Sequence, residues 1–285
     1  MYLPITPAPT CAAAWLNDAN AVNAKADHEG HNVIVDVAEP LSESASDRRV
    51  IELVDKFLRS RDAMPIQAVA NTIFPQDLYR RHGAPKFYGV YESVYEHIKK
   101  QGDWGRYFER MTRRTKSDGN VINPLSDMTA KMKQHVHGGG KTFRNIYELT
   151  ISDPTLDIPI YDPERDAGPV MNRQCLSFLS FKLDRKNRLM LTAVYRNHYY
   201  IERLLGNLIG LARLMAFVSS EAGVTIGPLT VVSTHAVIDV PKGGIRKAVT
   251  QLLSECRDTY NSDNRGERIS AGVAEEAYTV RASRE

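Results

Sequence analysis

Cysteine is scarce in this chain. There are three, Cys11, Cys175 and Cys256, an odd number set far apart with no CxxC pair. That spacing argues against a disulfide framework or a zinc site and for a reducing, cytoplasmic setting. No apolar run approaches the roughly 20 residues that span a bilayer, so no membrane role is expected. The opening stretch, MYLPITPAPTCAAAWLNDANAV, lacks the basic start and continuous apolar core of a signal peptide. A net charge of +3 is too small to imply a nucleic-acid surface by itself. Internal repeats, linker-like composition breaks, GxGxxG, GxSxG and HExxH are all missing, which removes the commonest dinucleotide, serine-hydrolase and metalloprotease readings.

What is there is an ordinary globular composition. The 285 residues, 42% apolar and 25% charged, are enough for one sizeable core. Periodicity predicts a helix over 10–27, a strand over 31–37 and a helix over 48–61 that Asp47 could cap. IQAVANTIFP (66–75) reads as a strand stopped by Pro75. A half-buried helix follows over 87–101, then an irregular segment over 102–114. PLSDMTAKMKQHV starts a helix on Pro124. FRNIYELTIS is a strand, residues 153–174 form a long loop, and LSFLSFKLD with RLMLTAVY is a hairpin. The most apolar helix runs from Leu204, then come the strand LTVVSTHAVID and a last helix from Lys242. From 261 to 285 the chain is polar and expected to be loosely held. The pattern predicts one α/β (α+β) domain over 1–260, a mixed sheet covered by helices.

HGGGKT (137–142) resembles a phosphate-binding loop only superficially. His135 stands where the first glycine is needed, and a strand follows rather than a helix. His135 and His137 are expected to be solvent-exposed, with no metal. FERMTRRTK carries four basic residues and could contact RNA or DNA, though a solvated face or phosphate clamp is the plainer reading.

The densest polar stretch is Arg196-Asn197-His198-Tyr199-Tyr200, where strand gives way to helix, followed by Gly206-Asn207. Cys175 precedes Arg196 by 21 residues, Asn207 follows it by 11, and His235 follows Asn207 by 28. This order and spacing resembles the thymidylate synthase superfamily, including its nucleotide hydroxymethylase branches. In that family a nucleophilic cysteine starts a strand, an Arg-Ser-x-Asp-x-x-x-Gly-x-Pro-x-Asn segment sits at a strand-to-helix junction, and Thr-His-x-Tyr follows. The resemblance covers residues 85 to 255. Upstream it is looser: a helix with Glu92 and Glu96, Gly105 and Tyr107 in WGRYF, and Arg144 at the start of a strand. Residues 1–84 match only as a divergent lead-in.

The resemblance implies a pyrimidine nucleoside monophosphate as substrate and 5,10-methylenetetrahydrofolate as one-carbon donor. Cys175 would attack carbon 6, which makes carbon 5 able to capture a one-carbon electrophile. Arg196 and Asn197 would hold the phosphate, Asn207 the base, His235 the sugar. A carboxamide at Asn207 suits uracil; cytosine-specific relatives carry Asp there. Glu92 or Glu96 would move protons, with Tyr107 beside them. Arg144 would reach the partner's site across a sheet-mediated homodimer. Departures are equally specific. Gln174 replaces the family proline before the cysteine, Tyr199 replaces the pterin-binding aspartate, and Val237 replaces the signature tyrosine. The tryptophan-bearing loop is cut to Trp104, and the closing C-terminal tail is not recognisable. These departures imply a rebuilt folate side, not a housekeeping thymidylate synthase, and they leave a catalytically lapsed nucleotide-binding or regulatory protein as the rival reading.

Overall fold

A computed structural model describes residues 3, 5–99, 106–152 and 174–262. Nine α-helices and eight strands are present among them: α1 (Cys11–Asn23), β1 (Glu29–Val37), α2 (Ala45–Arg59), α3 (Ile66–Ile73), α4 (Gln76–His82), α5 (Lys86–Ile98), α6 (Tyr107–Thr112), β2 (Arg114–Thr115), β3 (Val121–Ile122), α7 (Pro124–His137), β4 (Tyr147–Thr150), β5 (Leu176–Leu183), β6 (Arg188–Tyr195), β7 (His198–Tyr199), α8 (Leu205–Ala222), β8 (Thr225–Val237) and α9 over 246–262. A π-helical turn, Tyr200–Leu204, leads into α8.

The main sheet is mixed, in the order β1-β8-β6-β5-β4, with β7 added alongside β8. Strand β8 runs antiparallel to β1 and parallel to β6. A parallel pair needs a long crossover, and α8 supplies it. The register fixes what lies side by side. One row across the sheet reads Leu176, Tyr195, Ser233, Val33. The start of β5, the end of β6 and the Ser-Thr-His of β8 therefore meet at the same end of the sheet.

Along β1, β5, β6 and β8 burial largely alternates. Val33, Leu179, Leu191, Ala193, Leu229 and Val231 are buried, whereas Ile34, Phe178, Met190, Val194 and Val232 are only half covered. Helices α1, α7 and α8 contact the sheet, and Trp15, Leu208, Leu211 and Met215 belong to the core between them.

The stretch 66–75 is a helix, not the strand its β-branched residues suggest. Ile66, Val69, Ala70 and Ile73 are all buried, which is helical spacing, and docking on α8 overrides the local preference. The Asp55 carboxylate accepts the Ile66 N–H at 2.8 Å, giving the first turn the cap that Pro65 cannot provide. The contact is close because α8 offers glycine. A Cβ on Gly206 would lie 2.6 Å from Val69 Cβ, and one on Gly210 would lie 2.8 Å from the Ala70 carbonyl oxygen. Backbone cannot yield as a side chain does, so Gly210→Val should cost about 1–3 kcal/mol, read as a lower urea midpoint at unchanged slope.

Four smaller expectations also change. Ser44 is the N-cap of α2, and Asp47 is the third-position partner of its capping box. Residues 107–112 form α6 rather than irregular chain, and α4 is an additional helix whose start at Gln76 follows Pro75. The first helix ends at Asn23, short of residue 27. Residues 153–173, expected as a loop, most of the tail from 261, and Trp104 and Gly105 lie outside the described residues. No described helix is long and apolar enough to cross a membrane.

Candidate active site

The strand-to-helix junction is built by hydrogen bonds from three directions. The Arg196 N–H donates to the Cys175 carbonyl at 2.9 Å, joining the entry of β5 to the exit of β6. From β8, Thr234 Oγ1 donates to the Arg196 carbonyl at 2.8 Å and lies 3.3 Å from that of Tyr195. From α1, the buried Trp15 indole N–H donates to the Tyr200 carbonyl at 2.7 Å. That carbonyl is thus taken by the indole where the helical ladder begins, and the first turn is π rather than α. The Asp239 carboxylate accepts the N–H groups of Ile201 (2.8 Å) and Glu202 (3.2 Å), satisfying donors that a helix start leaves without partners. Burial nevertheless pushes its carboxyl up to about 6.

Cys175 is half-buried beside this junction. Burial pushes its thiol above the ordinary range, and the guanidiniums of Arg196 and then Arg203 oppose that rise. The resting group is therefore a thiol held next to two cations. The Tyr107 hydroxyl lies 3.5 Å from the Leu176 N–H, which points at it. Burial, with the neighbouring Cys175 adding to it, pushes the Tyr107 phenol up to about 12, so it stays protonated, accepting from the Leu176 N–H while keeping its own proton to donate. Cys11 and Cys256 are fully buried and each pushed up to about 12, by burial above all. Alkylation by iodoacetamide should therefore fall on Cys175 alone, faster at each step up in pH through the ordinary thiol range and beyond, because only the thiolate reacts. Arg196→Ala should slow it at fixed pH. Peptide mapping of the labelled protein would check both.

Asn207 is inside α8, not at its cap, and is buried. Its Nδ2 lies 2.9 Å from His198 Nε2, and His198 Nδ1 lies 3.0 Å from Ser233 Oγ. The Tyr200 hydroxyl donates to the same serine at 3.3 Å. His198 also stacks on Tyr195, with ring centroids 4.0 Å apart and planes 8° from parallel. Burial pushes the His198 imidazole down to about 3, so it is neutral at any physiological pH.

The second histidine, His235, is half-exposed and takes different partners. Its Nδ1 lies 2.8 Å from Asn197 Oδ1 and its Nε2 lies 3.0 Å from Glu29 Oε2. Asn197 and His235 thus form one polar edge of the junction, with Glu29 of β1 fixing the ring. Tyr199, 43% exposed, stands on the same short strand as His198 with its side chain in solvent.

Not every candidate joins this cluster. Glu92 and Glu96 are exposed on α5 and both face Arg113, Glu96 at 3.5 Å, in a cleft with Tyr88, Tyr91 and Thr112. Arg144 accepts the Leu183 N–H through its carbonyl. Leu183 ends the eight-residue β5 that Cys175 precedes, so roughly 25 Å of strand separates Arg144 from the thiol of its own chain. The basic run 108–116 is partly committed internally. Arg110 is buried with Nη1 on the Ile151 carbonyl, and Arg114 donates to the Thr150 and Ile151 carbonyls. The two histidines before the glycine loop also have partners: His135 Nδ1 on the Tyr147 hydroxyl at 2.9 Å, and His137 Nε2 on the Ala222 carbonyl at 3.0 Å. His137 is exposed, as expected, whereas His135 is half-buried against Tyr147. Among the described residues, no group of three or more His, Cys, Asp or Glu could hold a metal ion.

The residues missed in the sequence are His198, Ser233, Arg203 and Glu29. Ser233 directly precedes the Thr-His pair, and His198 sits inside the quoted junction; their partners lie 35 residues apart in the chain, beyond any local spacing rule.

No family model matches this chain. A protein of Methanothermobacter marburgensis described as a "putative thymidylate synthase" is 38% identical to it over 80 residues, 28% of this chain and 33% of that protein. The match thus spans about a third of that relative's length. It makes the chain similar, over part of its length, to a protein so described.

Proposed function

We propose that this chain binds a pyrimidine nucleoside monophosphate and transfers a one-carbon unit to carbon 5 of its base, through a transient bond between Cys175 and carbon 6. The observation that carries the reading is the Arg196–Cys175 pairing, a 2.9 Å backbone bond that holds a half-buried thiol beside the Arg196 guanidinium. The partial similarity to a protein described as a thymidylate synthase supports it.

In this reading Arg196, with Asn197 beside it, meets the phosphate through a planar, always-charged donor. Cys175 loses its proton, its sulfur bonds to carbon 6, and the displaced π electrons make carbon 5 nucleophilic toward a one-carbon electrophile. The carbon 5 hydrogen then leaves as a proton, and breakage of the sulfur–carbon 6 bond restores the ring and the thiol. Tyr107, protonated throughout, donates toward the sulfur side of the site. The Asn207 amide reads the base edge, and His235, fixed by Glu29, faces the sugar.

Methylenetetrahydrofolate would supply the one-carbon unit when bound, leaving as tetrahydrofolate where water completes a hydroxymethyl product, or as dihydrofolate where its own hydride completes a methyl. The exposed Tyr199 ring fits a pterin face by stacking, while the carboxylate that would accept from pterin N–H groups is not at that position. The half-covered sheet face with Ile34, Phe178, Met190, Val194 and Val232 suits a second copy of the chain. Arg144, far from its own Cys175, could serve only a partner's site.

A second reading is favoured by two features: Tyr199 in place of the aspartate, and the Glu92 and Glu96 carboxylates engaged by Arg113. It keeps nucleotide binding without turnover. Incubating the chain with UMP, dUMP, CMP and dCMP, with and without methylenetetrahydrofolate, separates the two. A product heavier by a methyl or hydroxymethyl group supports the enzyme. Saturable binding of a monophosphate over its nucleoside, with no product, supports the binding protein.

A further inference from the structure

The Asn207–His198–Ser233 chain adds something that Asn207 alone does not supply. A free carboxamide can turn over, exchanging its N–H edge and its carbonyl. One orientation donates to a 4-oxo group and accepts from N3–H; the other accepts from a 4-amino group and donates to N3. An asparagine that turns freely therefore reads uracil and cytosine alike.

Here the turn is opposed. Asn207 Nδ2 faces His198 Nε2 at 2.9 Å, which requires that nitrogen to be the bare acceptor. The ring proton then sits on Nδ1 and is donated to Ser233 Oγ at 3.0 Å. The ring cannot swing away, because it is stacked at 4.0 Å on Tyr195 and has Tyr200 edge-on at 5.7 Å and 87°. Ser233, wholly buried in β8, is held from the other side by the Tyr200 hydroxyl. Turning the amide would set its carbonyl oxygen against the His198 lone pair, unless the ring proton also moved from Nδ1 to Nε2.

We infer that His198 is a positioning residue that fixes the Asn207 carboxamide, and that the pair selects the 4-oxo, N3–H edge of a uracil-type monophosphate over the 4-amino edge of a cytosine-type one. This inference rests on the nucleotide reading above and deepens it. His198 need not touch the nucleotide; it acts through Asn207.

Two measurements on the full chain test it. The first needs no nucleotide: ¹⁵N spectra of the histidine rings. The lock requires His198 as the Nδ1–H tautomer, unprotonated down to about pH 4. An Nε2–H tautomer, or titration in the ordinary histidine range, overturns the lock. The second is the ratio of Kd values for dUMP and dCMP, and for UMP and CMP. Wild type should favour the uracil member by at least about tenfold, the size of one well-made polar discrimination. His198→Gln, whose own amide can turn with its neighbour, should bring the ratio toward unity without weakening the tighter nucleotide by a similar factor. A ratio unchanged in His198→Gln, or equal affinities in wild type, overturns the assignment. If neither nucleotide binds wild type, the nucleotide reading and the edge selection fall together, whereas the spectra still decide whether the amide is locked.

Discussion

Cys175→Ala is expected to cut release of tritium from carbon 5-labelled pyrimidine monophosphate to background, a loss on the order of 10³-fold or more, as when an essential nucleophile is removed. Carbon 5 gives up its hydrogen only after carbon 6 has been attacked, so the release reports the sulfur step whatever the one-carbon fate. Binding should survive the substitution, because Arg196, Asn207 and His235 are untouched. Cys175→Ser should behave nearly as badly, since a serine hydroxyl ionises far less readily than a thiol. Release that persists in Cys175→Ala would move the nucleophile elsewhere. The structure leaves little room for that, because Cys11 and Cys256 are buried.

Asp18→Asn should make the protein substantially more stable at neutral pH. Asp18 is 2% exposed on α1, its Oδ1 has no hydrogen-bond partner among the described residues, and burial, with Asp36 adding to it, pushes its carboxyl up to about 8. In the unfolded chain the same group ionises near 3.9. Between those values the folded state binds a proton that the unfolded state does not. Stability from this group is therefore complete below about pH 4 and is lost as pH rises toward 8, by an amount on the order of a few kcal/mol. The amide cannot ionise, so the variant should show no such decline across that window. Urea midpoints at pH 5 and 8 for both proteins would decide; parallel pH dependences would mean that Asp18 is ionised and satisfied in the fold. Asp239, pushed up to about 6, adds a smaller loss of the same sign over a window ending near 6, in both proteins alike.

Much of this architecture can be read from residue order, and the failures have physical causes. The strands of the main sheet at 31–37, 176–183 and 188–195 follow from alternation or apolar runs, and α7 from Pro124 at its start with Asn123 capping. The helix at 66–73 does not, because its β-branched residues look strand-like until Gly206 and Gly210 of α8 are there to receive them. Within the site, the sequence carries the order Cys175, Arg196, Asn207, His235, and the sheet register brings the strands bearing Cys175, Arg196 and His235 to one end. It does not carry the neighbours that decide how those groups behave. Arg203 tempers the thiol through a helical turn that a tryptophan on α1 helps shape, and His198 reaches Asn207 only because β7 lays it beside Ser233. Charge runs mislead in the other direction: Arg110 and Arg114 of the basic stretch spend donors on backbone carbonyls. For Glu92 and Glu96, residue type and helix were legible, but their common ion pair with Arg113 was not.

The central claim is that Cys175 bonds to a pyrimidine monophosphate that Arg196 holds. Its most direct measurement is peptide mass mapping of the full chain, quenched during incubation with methylenetetrahydrofolate and a pyrimidine monophosphate bearing fluorine at carbon 5, where, once the one-carbon unit is added, the substituent cannot leave as the proton does. The account predicts the mass of one nucleotide with its one-carbon donor added to the peptide containing Cys175, absent with the matching nucleoside and sharply reduced in Arg196→Ala. Saturable binding of the same nucleotide with no adduct, or an adduct on Cys11 or Cys256, would contradict it.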